Sequence, residues 1–149
     1  HLVHVGQSVT QSVGERTSEL VSTAIGFLGV PYRFGGNTAE SGFDCSGFVR
    51  SVFKDAVGFV LPRSSVEQAN ATLRIDKDEL KAGDLVFFNT MKRAFSHVGV
   101  YLGEGKFIHS PRAGVQERVE VMRVPYWNVR FDGARRVQTA ALQTSQKPE

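Results

Sequence analysis

The chain carries one cysteine, Cys45, and so can form no internal disulfide and no multi-cysteine zinc ribbon. It contains no apolar run near the roughly 18 residues that a membrane-spanning helix requires. Apart from Arg135-Arg136 its basic residues are dispersed and no aromatic stripe interleaves them, which argues against a nucleic-acid partner. Internal repeats and low-complexity blocks are also missing. The sequence opens on His1 with neither an initiator methionine nor a signal peptide. An upstream segment, such as an export signal or lipid anchor, is therefore expected to have been removed.

What is present describes an ordinary globular domain. The 149 residues are 41% hydrophobic and 22% charged, enough for one domain with a real core. A net charge of +3 and a pI of about 9.2 suit an anionic partner, and equally a mixed solvated surface.

The period of the apolar residues divides the domain. Residues 1–14 are polar and read as a flexible lead-in, and 138–149 lack periodicity and read as a disordered tail. Between them, Leu20, Ala24 and Leu28 repeat at helical spacing over 15–28, and Gly29 and Pro31 end that helix. Asp44 is placed to cap a second helix from Cys45 to about Val57, with Val49, Phe53 and Ala56 on its apolar face. Ser64 can cap a short third helix through Ala71. The second half reads as strands: 84–89 around Leu85-Val86-Phe87-Phe88, 97–102, 106–110, 115–121 and 130–137. Helices followed by a meandering antiparallel sheet predict an α+β fold, with catalytic or binding residues on a 15–137 core.

Cys45 at a helix start has a chemical consequence. Unpaired N–H groups and the positive end of the helix dipole favour an anion there, so a lowered thiol pKa is expected. A nearby imidazole could then take the proton and return it to a leaving amine. His97 and His109 are the histidines that strand pairing can bring together. A three-residue Gly103-Glu104-Gly105 turn would pair Leu102 with Lys106, Tyr101 with Phe107 and Gly99 with His109, placing both imidazoles on one face. A two-residue turn would pair Val100 with His109 and separate them. In the first register His97 is the base and His109 orients it. A zinc site made of Cys45, His97 and His109 is the alternative chemistry for these residues.

Six separated motifs, in order, resemble the NlpC-type family of papain-like cell-wall cysteine endopeptidases. They are Gly29-Val30-Pro31-Tyr32-Arg33-Phe34-Gly35-Gly36, Phe43-Asp44-Cys45-Ser46-Gly47-Phe48-Val49 and Leu61-Pro62-Arg63-Ser64. Gly83-Asp84-Leu85-Val86-Phe87-Phe88, 96–103 (Ser-His-Val-Gly-Val-Tyr-Leu-Gly) and Phe107-Ile108-His109-Ser110 complete them. The resemblance covers about Leu20 to Val137. It implies a papain-like fold and a Cys45-His97-His109 triad. It also implies that the Tyr32 hydroxyl joins the Cys45 N–H in stabilising an oxyanion.

By the same resemblance Asp44, Ser46 and Arg63 are substrate-contacting positions, and no metal or cofactor is implied. The expected reaction is cleavage of peptidoglycan stem peptides between D-glutamate and diaminopimelate, in the periplasm, cell envelope or outside the cell. Alternatives are an N-acetylmuramoyl-L-alanine amidase or cross-bridge endopeptidase using the same triad, an acyltransferase or deubiquitinase-like use of it, or a non-catalytic wall-binding module. Any regulatory or targeting partner is left unnamed by these motifs.

Overall fold

The computed structural model describes residues 17–38, 42–111 and 116–138. The lead-in 1–14 and, from residue 139 on, the tail lie outside the described residues. A first helix, α1, covers 17–26 and buries Leu20 and Ala24. Two short strands, β1 (Asn37–Thr38) and β2 (Gly42–Phe43), pair antiparallel before the second helix, α2 (Cys45–Val57). α2 forms as its sequence dictates. The Asp44 carboxylate accepts from the Gly47 N–H at 2.7 Å, one of the helix-start donors without a backbone acceptor. Phe48, Val49, Val52 and Phe53 form its buried face, each burial contributing roughly 2 kcal/mol.

The third helix, α3 (Ser65–Asn70), starts at a full capping box between Ser64 and Glu67. β3 (Leu73–Ile75), a 3₁₀ turn (Lys77–Glu79), β4 (Leu85–Phe88), β5 (His97–Gly103), β6 (Lys106–His109) and β7 (Arg118–Val121) follow. A fourth helix, α4 (Pro125–Arg130), precedes the last strand, β8 (Phe131–Arg136). β1–β2, β3, the 3₁₀ turn and α4 are additions to the elements expected from periodicity, being too short to show a period of their own.

Six strands make one antiparallel sheet in the order β3-β8-β4-β5-β6-β7. β4 is central, and all four of its residues are buried, as a continuous apolar run requires. Leu85 and Phe87 point to the side covered by α1 and α2, joining Phe43, Phe48, Val52 and Ile108 in the main core. Val86 and Phe88 point to the other side, where Phe107, Met122 and Trp127 make a second, aromatic cluster. Helices on one face and a single-turn helix on the other make this an α+β domain, as expected.

Candidate active site

Cys45 is the first residue of α2, and its sulfur lies 4.0 Å from the Ser96 carbonyl oxygen, just before His97 on β5. The Cys45 side chain packs against the main core, and burial pushes its thiol up to about 11. The Val98 N–H, the Ser46 N–H and Arg63 pull the other way, while Asp44 adds to the rise. This corrects the expectation of a lowered pKa. The helix-start N–H acts in the expected direction, but removal from water outweighs it. The environment of Cys45 thus favours the neutral thiol over the thiolate.

The hairpin that brings the histidines together also differs from the expected one. Gly103, not Leu102, pairs with Lys106, and the loop has two residues, Glu104 (φ 55°) and Gly105 (φ 77°). Positive φ at both central positions is the geometry that two-residue hairpins favour. An irregularity between Tyr101 and Gly103 inserts one residue, so that Tyr101 still pairs with Phe107 and Val100 with Ile108. A two-residue turn alone would have separated the histidines. The bulge restores the register that unites them.

His97 and His109 are both buried, and His97 Nε2 lies 2.7 Å from His109 Nδ1 with the rings perpendicular. They sit among the second cluster. Trp127 of α4 stacks on His97 and meets His109 edge-on. Burial, with His109 adding to it, holds His97 well below its ordinary pKa. Burial also lowers His109, against an opposing pull from Glu120 of β7. The His109 Nε2 is 3.3 Å from Glu120 Oε2, and Arg118 Nε is 3.0 Å from the same oxygen. Because the two imidazoles engage each other, the pair does not present both of those nitrogens to a shared metal. Among the described residues no group of three His, Cys, Asp or Glu side chains could hold a metal ion.

Tyr32 is held by backbone bonds on either side. The Phe43 N–H donates to the Pro31 carbonyl at 3.0 Å, and the Arg33 N–H donates to the Phe43 carbonyl at 2.7 Å. The loop then turns closely enough that a Cβ at Gly36 would run into the Gly42 carbonyl, which is why a glycine stands there. Burial raises the Tyr32 hydroxyl pKa, and Cys45 and Asp44 raise it further, so the phenol stands within electrostatic reach of both.

Asp44, Ser46 and Arg63 are brought together, but on one another. Arg63 donates to both Asp44 carboxylate oxygens, to Ser46 Oγ and to the Gly36 carbonyl. Gln68 of α3, which sequence reasoning missed, is fully buried and donates to the Ser46 and Pro62 carbonyls at 3.0 and 2.9 Å, bracing the start of α2.

Glu120 and Trp127 were missed as well. The alternation Arg118-Val119-Glu120-Val121 could have placed Glu120 diagonally from His109 across β6 and β7. Pro125, at a favoured first helical position, was the signal for α4 and its tryptophan.

A central antiparallel sheet, a cysteine opening the helix packed on it and a histidine pair on its inner strands define a papain-like α+β domain. More specifically, this chain belongs to the NlpC/P60 family, whose profile matches residues 29–136. It is 46% identical over 115 residues to the murein DD-endopeptidase MepH of Escherichia coli, matching 75% of this chain and 42% of that protein. It is 45% identical over 108 residues to the γ-D-glutamyl-L-lysine dipeptidyl-peptidase of Bacillus subtilis, matching 71% of this chain and 36% of that one. The chain thus spans less than half the length of these two relatives.

Among solved structures, an NlpC/P60 family protein from Bacillus cereus superposes with a TM-score of 0.76 at 37% identity, over 83% of this chain and 40% of the other. The NlpC/P60 domain of the peptidoglycan hydrolase SagA does so with a TM-score of 0.70 at 34% identity, over 83% of this chain and 98% of the domain.

Proposed function

We propose that this domain is a cysteine peptidase that hydrolyses amide bonds in peptidoglycan stem peptides, acting outside the cytoplasm. The observation that carries the reading is the His97–His109 pair, joined at 2.7 Å across β5 and β6, with the backbone of Ser96 and Val98 on either side of His97 meeting the Cys45 sulfur. The relatives' names, which refer to murein and to γ-D-glutamyl bonds, supply the substrate class.

In this reading the Cys45 proton passes to His97 as the sulfur attacks the substrate carbonyl. The resulting oxyanion is held by the Cys45 N–H, which has no intrahelical acceptor at the first helical position, and by the Tyr32 hydroxyl. His97 gives the proton to the departing amine, leaving a thioester. Water, with its proton taken by His97, then hydrolyses the thioester and frees Cys45. Asp44, Ser46 and Arg63 border this site and contact the stem peptide.

The bond proposed is that between γ-D-glutamate and meso-diaminopimelate. Purified L-Ala-γ-D-Glu-diaminopimelate-D-Ala should yield L-Ala-D-Glu and diaminopimelate-D-Ala by mass spectrometry, and Cys45→Ala should yield neither. A second reading, cleavage of the D-amino acid cross-bridge, is favoured by relatives named murein DD-endopeptidases. It predicts conversion of cross-linked muropeptide dimers to monomers with the stem tetrapeptide left whole. Release of intact stems from glycan would mark an amidase, and no product from any of these substrates would mark a binding module.

A further inference from the structure

We propose that Glu120 is a positioning residue whose carboxylate sets the tautomers of both His109 and His97, leaving the His97 lone pair on Nδ1. The proposal rests on the reading of Cys45 and His97 as nucleophile and base, and extends it by one residue.

The argument is a count of protons along a chain of contacts. Glu120 Oε2 lies 3.3 Å from His109 Nε2 and 3.0 Å from Arg118 Nε. Hydrogen bonding from His109, with the Arg118 charge and a hydrogen bond from Trp127, holds the carboxyl below its ordinary pKa against the cost of its burial. An ionised carboxylate only accepts. The proton between Glu120 and His109 therefore sits on His109 Nε2.

Burial keeps the His109 imidazole neutral near pH 7, so its Nδ1 carries a lone pair. That nitrogen is 2.7 Å from His97 Nε2, a distance at which one partner must donate. The donor can only be His97 Nε2. Since His97 is also neutral, its own lone pair is left on Nδ1. Nδ1 is the ring nitrogen nearer the His97 backbone, and the groups on either side of that backbone are the ones around the sulfur. The Ser96 carbonyl lies 4.0 Å from Cys45 Sγ, and the Val98 N–H hydrogen-bonds it.

The opposite assignment fails at its far end. A proton on His109 Nδ1 would put a lone pair on His109 Nε2 facing an ionised carboxylate, and would leave His97 protonated on Nδ1 and unable to accept from the thiol. Glu120 selects against that arrangement. Arg118 holds Glu120 in place, and Trp127, only 8% exposed and in contact with both rings, keeps water from substituting for it.

The charged and titratable groups facing the histidine pair are Glu120 and Arg118 from β7; Cys45 of α2 meets the backbone on either side of His97, and α4 presents Trp127, which does not titrate. Removing the negative charge of Glu120 destabilises the imidazolium form of the pair. The acidic limb of the kcat/KM profile should therefore move to lower pH in Glu120→Gln. In the same variant kcat should fall at least about tenfold with KM unchanged, short of the roughly 10⁴-fold loss that a wrong tautomer causes in a serine-protease triad. Glu120→Asp, which keeps the charge, should recover part of the loss.

The deciding measurement needs no substrate. Long-range ¹H–¹⁵N correlation of the resting protein should show Nε2–H tautomers for both His97 and His109, and a mixture for His109 in Glu120→Gln. An Nδ1–H tautomer for His109 in the parent protein would overturn the proposal, and so would unchanged tautomers in a folded Glu120→Gln. If stem peptides proved not to be cut, the proposed activity would fall while the tautomer result still decided the role of Glu120.

Discussion

Arg63 grips Asp44 in a two-pronged pair, Nη1 to Oδ1 at 3.1 Å and Nη2 to Oδ2 at 3.0 Å, and the same Asp44 oxygen Oδ1 accepts the Gly47 N–H that opens α2. The pair therefore holds the start of the helix that carries Cys45, whatever it also offers a substrate. A lysine keeps the charge but cannot match both oxygens. Arg63→Lys should cost about 1–3 kcal/mol, read as a fall in the midpoint of thermal unfolding. An unchanged midpoint with a raised KM would mean that Arg63 serves the substrate alone.

The raised thiol pKa makes a distinct prediction for alkylation. With the Cys45 pKa pushed up to about 11, the thiolate is scarce at neutral pH and grows as pH approaches that value. The rate of iodoacetamide alkylation, followed by intact mass, should keep rising above pH 9. A plateau near pH 7 would show that Cys45 and His97 rest as a thiolate–imidazolium pair instead.

Glu117 should make the protein less stable as pH rises. It is 3% exposed. Burial pushes its carboxyl up to about 9 from an ordinary 4.5, against a weaker pull from the Ser110 hydroxyl. In that window the folded protein holds a proton the unfolded chain has lost, so stability is fully present below about 4.5 and declines towards about 9. Glu117→Gln should remove this decline. Melting curves from pH 4 to 9 should converge for the two proteins at the acid end and diverge above it, and parallel curves would refute the assignment.

At Gly99, β6 lies close against β5. A Cβ there would meet the Ile108 carbonyl oxygen at 2.8 Å, the Phe107 ring at 2.9 Å and His109 Cβ at 3.2 Å. Gly99→Ala should destabilise the fold by about 1–3 kcal/mol, because two of those neighbours belong to backbone or a packed ring and cannot swing aside. It should also lower kcat by displacing His109 from His97. Loss of stability with full activity would separate the hairpin's packing from its role in the site.

Much of the fold was legible because the signals are local. The Asp44 cap and the apolar spacing of α2 predict a helix from Cys45 to about Val57, and the observed helix is Cys45–Val57. The run Leu85-Val86-Phe87-Phe88 forms the buried central strand. The hairpin was half legible. Its glycines mark a turn, but the same three residues allow either register, and the choice lies in a bulge at Leu102 that no local pattern announces.

Sequence alone determined the order of the longer elements, the class of fold and the placement of Cys45 at a helix start, because capping and periodicity act between residues a few positions apart. Only the tertiary structure decided the state of that cysteine and the company of its histidines. The Cys45 thiol is raised because packing against the main core takes it away from water, and that core draws on α1, α2 and the strands of the sheet, which the chain brings from far apart. Glu120 reaches His109 across a strand pair, and Trp127 covers both rings from a one-turn helix too short to show a period. Contacts of that range depend on how strands and helices pack, and packing is not written in the spacing of any one segment.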